Sequence, residues 1–179
     1  MKTAQTVQHS PIFNHFVRMS VMPSIVLVLT KTITMIFFSS LYNLTYTIGP
    51  SGILFNSFES FKMANDFSSA FTFLVAFSFT SWLVFKGYFL HQSHIKPSLS
   101  AWVYSQNLEN LLVKNMDLFV KLAAWVIFMW IITILIINHY FLGLASDWVL
   151  YFSLIMSSVL TVLSIIDIEK EHAIFVSVS

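Results

Sequence analysis

A lysine stands near the middle of an apolar run, SIVLVLTKTITMIFFSSLY, at residues 24–42. An ammonium at mid-membrane costs about 2.5–3.5 kcal/mol on insertion scales, so it needs a reason to be there. Ser24, Lys31, Thr34 and Ser39 fall within roughly a 140° arc at about 100° per residue, so they share one polar face. Three uses of Lys31 follow. It pairs with an acid or a carbonyl on another subunit, or it lines a wet cavity and attracts an anion. Alternatively, the span is shifted outward and the lysine snorkels to the inner interface. The last use would bury TITMIFFSSLYNLTYTIGPSGIL instead, a less apolar stretch with a Gly-Pro break. No carboxylate of the same chain is expected as partner, because Asp66, Asp147 and Asp167 all fall at expected span ends.

His91 and His94 form an HxxH pair, the spacing of two metal ligands on one helix face. A site needs a third donor. The other histidines, His9, His15, His139 and His172, are scattered along the chain, and there is no cysteine. The pair therefore reads as a solvated interfacial segment, and no metal is expected. Haem between helices would need facing histidines inside the bilayer, and only His139 falls inside an expected span. There is no nucleophile elbow, phosphate loop or HExxH motif. No catalytic residue and no cofactor are expected.

The elements that must position these residues are membrane helices. The chain of 179 residues is 57% hydrophobic and 9% charged, whereas soluble domains carry about 25% charged residues. Its mean hydropathy is +0.79. The formal net charge of +1 points to no nucleic-acid partner. The expected fold is an all-α integral membrane protein, a bundle of four transmembrane helices about 20 residues or more long. Residues 1–20 read as a cytosolic arm without the pattern of a secretory signal. The spans fall at 21–44, 67–89, 118–142 and 148–166. Between them, 90–117 forms a cytosolic loop with an amphipathic helix that starts near Pro97 and Ser98 and runs into the third span. Residues 167–179 form a cytosolic tail.

Threading follows from the basic residues. Lys2, Arg18, Lys86, Lys96, Lys114, Lys121 and Lys170 lie on one side and only Lys62 on the other, so both termini are expected to be cytosolic. The inner membrane of a bacterium is the preferred location and an organellar membrane the alternative.

Two stripes of small residues suit close helix packing. One is Ser153, Ser157, Thr161 and Ser164 in the fourth span, and the other is Ser69, Thr72, Ala76 and Thr80 in the second. The phenylalanines of the second span would then face lipid or a partner. The hydroxyls have an alternative use, bonding back to the carbonyls of their own helix. The preferred function is a non-catalytic subunit of a larger membrane assembly for transport, secretion or respiration. It would act through helix packing, with the bilayer and other membrane subunits as partners. The alternatives are a small transporter or channel with an anion site at Lys31, and a membrane immunity or inhibitor protein.

Overall fold

The computed structural model describes residues 11–50, 52–90, 95–108 and 117–178. In chain order these form helix α1 (Pro11–Leu41), strands β1 (Tyr46–Gly49) and β2 (Gly52–Phe55), then α2 (Phe58–Leu90), α3 (Pro97–Ser105), α4 (Asp117–Phe141) and α5 (Asp147–Val178). Four segments are long and apolar enough to cross a membrane: Met19–Leu41, Phe58–Leu90, Leu118–Phe141 and Asp147–Glu169.

Three helices end in the same way. Asn43, Asn107 and Gly143 take φ values of 52°, 53° and 73° just past the ends of α1, α3 and α4. At each, paired bonds close the last turn: Asn43 N–H to Ser40 O with Leu44 N–H to Ser39 O, Asn107 to Tyr104 with Leu108 to Val103, and Gly143 to Tyr140 with Leu144 to His139. This left-handed cap satisfies carbonyls that the helix leaves without partners, and Gly and Asn are the residues that adopt it at least cost. It also corrects the expected amphipathic helix. Asn107 stops α3 after nine residues, so α3 does not run continuously into α4. Residues 109–116 lie outside the described part.

The all-α expectation needs a second correction. The Gly-Pro break falls at the end of a β-hairpin, with Gly49 opposite Gly52 and Tyr46 opposite Phe55. Gly52 has φ +114°, a conformation closed to most side chains. A two-residue connection between short β-branched and aromatic runs is a hairpin signal.

The helices are also longer than the expected spans. α2 starts at Phe58, not at 67, because Ser57 caps it: the Ser60 N–H donates to Ser57 Oγ at 3.1 Å and the Phe61 N–H to Ser57 O. The cap draws Lys62, Asn65 and Asp66 into a helix of 33 residues, about 50 Å long. α1 already begins at Pro11, inside the expected arm, and α5 continues through the expected tail to Val178.

α2 is the hub of the bundle and packs against α1, α4 and α5, while α1 meets α4 only slightly. The core joins Ala70 and Phe73 of α2, Met129 and Ile136 of α4, and Val149, Leu150 and Leu160 of α5. Ser69, Thr72, Ala76 and Thr80 are all buried, as are Ser153, Ser157 and Ser164, with Thr161 half-buried. Phe71, Phe79, Phe85 and Phe89 are exposed, but Phe73 is fully buried at 0% exposure. Phe73 lies between Ala70, Thr72 and Ala76, whose small side chains leave room for one large ring toward α5. There it meets Phe152 edge-on at 5.6 Å. Phe67 joins three helices, with ring contacts to Phe38, Tyr42 and Trp148.

Candidate functional site

α1 turns Lys31 toward the third turn of α2. The ammonium donates to Asn65 Oδ1 at 2.8 Å, Ser68 Oγ at 2.8 Å, Ser69 Oγ at 2.5 Å and the Asn65 carbonyl at 3.1 Å. Asn65 is 2% exposed. Its side-chain amide donates in turn to Leu144 O at 2.8 Å, in the turn between α4 and α5. That carbonyl is presented by the Gly143 cap. The next residue, Asp66, accepts from the Ser146 N–H at 2.9 Å and the Ser146 hydroxyl at 2.6 Å. Ser146 sits at the start of α5, where its carbonyl takes the N–H groups of Val149 and Leu150. A carboxylate there is favoured by the partial positive charge of a helix N-terminus. Asp66 also attracts the Lys31 ammonium through space.

One polar network therefore ties α1, α2 and the α4–α5 turn together. Hydrogen bonds to a charged group contribute about 1.5–3 kcal/mol each, enough to offset the cost of keeping a lysine within the bundle. The partner of Lys31 is an amide and two hydroxyls of its own chain, so neither a second subunit nor snorkelling along α1 is needed to satisfy it. The other members of the α1 polar face do not join the network. Ser24, Thr34 and Ser39 each donate back to a carbonyl of α1, at 2.6–2.7 Å.

Because α1 and α4 both lean on α2 and hardly on each other, a groove of about 380 Å³ remains between them. Ser69 and Thr72 of α2 form its floor. The α1 wall runs from Ser24 through Leu27 and Val28 to Lys31 and Thr32, and the α4 wall from Phe128 to His139. Val28, Thr32, Ile131 and Leu135 along the rim are exposed, so the groove opens sideways. One end holds Lys31, Ser69 and His139. Ser24, Thr32 and Thr72 also line the groove but bond back to the carbonyls of Ser20, Val28 and Ser68, and the other lining side chains are apolar.

No known family, curated protein or solved structure matches the chain. The site must stand on its own geometry.

His91 and His94 lie outside the described residues, and among the described residues no group of three or more acidic or histidine side chains is arranged to hold a metal. The two small-residue stripes mostly turn their hydroxyls back on their own helices, as with Thr72 to Ser68 O, Thr80 to Ala76 O, Ser153 to Leu150 O and Ser164 to Leu160 O. Two bonds do cross from α4 to α5. Thr133 and Ser157 are 2.8 Å apart, and Trp130 Nε1 donates to Thr161 Oγ1 at 2.8 Å. Sequence reasoning missed Asn65, Ser68 and Ser146, placed Asp66 only at a span end, and gave His139 no part in a site with Lys31.

Proposed function

We propose that this is a non-catalytic integral membrane protein that takes a small apolar guest from the bilayer into the α1–α4 groove, as a membrane-embedded binding or transfer protein. It is the reading in which Lys31 marks a ligand site. The single observation that carries it is the groove itself, laterally open, apolar along its length and polar at one end. Its volume of about 380 Å³ falls within the roughly 300–1,000 Å³ of small-molecule sites. The balance of basic residues supports a threading with both termini in the cytosol and the hairpin outside.

The test is thermal stabilisation of the purified full chain by long-chain amphiphiles. A guest at a hundred times its dissociation constant adds about 2.7 kcal/mol. The midpoint should rise in the wild type and stay unchanged in Leu135→Trp, where an indole fills the groove from an exposed rim position. Equal shifts in both proteins would remove the groove from the account.

A second reading, the subunit of a larger assembly, keeps one observation in its favour. Only 11% of the most apolar window of α1 is buried, against 39% for α2, so α1 offers a wide face to another chain. Its original premise, a lysine without a partner, is gone.

A further inference from the structure

Resting on the groove reading above, we infer that the guest is a single-chain fatty carboxylate, drawn from the membrane leaflet on the hairpin side with its head at Lys31, Ser69 and His139.

Length and direction come first. From Phe128 to His139 the α4 wall spans about 16 Å at 1.5 Å per residue, roughly half of a 30 Å hydrocarbon core. His139 lies in the last turn of α4, toward the hairpin end, and Phe128 lies near the middle of the helix. Along α4 the groove thus runs from the end of the helix to about its middle. Although Lys31 is midway along the apolar span of α1, its partner Asn65 bonds to the α4–α5 turn, so the head site lies level with that end of α4. The length suits one acyl chain in one leaflet. A helix, about 10 Å across, would need several times the 380 Å³ present over that length. The space suits one chain and not two.

Charge selects the head. Lys31 is the only Lys, Arg, Asp or Glu among the groove's described lining residues. Asp66 is turned away to Ser146 and borders a separate depression with Glu59 and Lys62. A head in the groove therefore meets one basic side chain and no carboxylate along the lining.

Hydrogen bonding points the same way. Ser69 Oγ accepts from Lys31 at 2.5 Å, yet its own proton has only Asn65 Oδ1 at 3.5 Å, the limit of a hydrogen bond. Ser69 is 5% exposed and forms part of the groove floor. It is a buried hydroxyl beside an ammonium, lining the groove, whose donor makes only a long bond within the chain. One carboxylate oxygen takes that donor, and the second reaches the ring N–H of His139 at the mouth. Lys31 keeps its bonds to α2 and acts on the head through Ser69 and through its charge.

The experiment measures binding of labelled hexadecanoate to the full chain, delipidated and in mild detergent. Hexadecan-1-ol and hexadecyltrimethylammonium compete as ligands with the same chain and other heads. The proteins are wild type, Leu135→Trp, Ser69→Ala and His139→Gln. Hexadecanoate should bind once per chain and at least about tenfold more tightly than the alcohol. Leu135→Trp should abolish all binding. Ser69→Ala should weaken the carboxylate and leave the alcohol unchanged, and His139→Gln should do the same to a smaller degree. If the three ligands bind alike and Leu135→Trp still blocks them, the head assignment is overturned while the groove reading stands. Tighter binding of the ammonium also overturns the head assignment. If Leu135→Trp binds every ligand as the wild type does, both readings fall.

Discussion

Lys31 and Asn65 meet twice. The ammonium donates to both the side-chain oxygen and the main-chain carbonyl of Asn65, at 2.8 and 3.1 Å, and the amide nitrogen of Asn65 passes a bond on to Leu144 O. A cation on one helix is thereby tied through a neutral amide to the turn between two others. Such a relay makes the two residues energetically dependent on each other.

Asn65→Leu should lower stability by about 2–3 kcal/mol, because it removes one of the four acceptors of a part-buried ammonium and leaves the Leu144 carbonyl without its partner. Lys31→Met in that background should cost much less than Lys31→Met alone, giving a coupling of about 1 kcal/mol or more. Unfolding curves of the two single variants and the double variant in mixed micelles measure it. Additive losses would show that the pair is not coupled.

Gly87 is packed so closely by the Asp167 carboxyl that an added Cβ would overlap it, and Leu118 Cδ2 would lie 3.2 Å away. Asp167 is itself buried, at 1% exposure. Gly87→Ala should cost about 1–3 kcal/mol through overpacking. Thermal midpoints of wild type and Gly87→Ala read this loss. An unchanged midpoint would show that the Asp167 carboxyl gives way at no cost.

The α4–α5 seam provides an internal control. Thr161→Val removes the acceptor of Trp130 Nε1 and should cost about 0.6 kcal/mol, the usual value for a bond between membrane helices. Ser158→Val alters an exposed hydroxyl that bonds only to its own helix and should change nothing measurable. Equal effects would mean that the Trp130 bond contributes no stability.

The threading is tested with single cysteines in a chain that has none of its own. Thr47→Cys in the hairpin and Gln106→Cys after α3 are both at exposed positions. A membrane-impermeant maleimide applied from outside should label the first and not the second. The reverse pattern would invert the orientation.

The spans were legible because hydropathy over about 20 residues is a strong, additive signal. The small-residue stripes were visible from their spacing alone. The site was only half legible. Lys31 stood out as a charge in an apolar run, but its partner was sought as an acid or a carbonyl on another subunit, whereas the structure uses an amide, two hydroxyls and a carbonyl of the same chain. Asn65 and Asp66 were read as loop because local hydropathy drops there. The Ser57 cap that extends α2 over them depends on a single serine, which a window average hides. The hairpin went unseen because IGPSG was taken as a break and not as a turn between pairing strands. No periodicity reveals the groove, which exists because α1 and α4 each pack on α2 and barely on each other.

The central claim is that the α1–α4 groove holds one guest per chain. Its most direct measurement is the intact mass of the full chain, released from membranes in mild detergent, for wild type, Leu135→Trp and Ile155→Trp. Leu135 lies on the groove rim at 53% exposure, and Ile155 is 59% exposed on α5, outside the groove. The account predicts one retained amphiphile in wild type and in Ile155→Trp, and none in Leu135→Trp. Retention unchanged in Leu135→Trp, or lost equally in both variants, would contradict it.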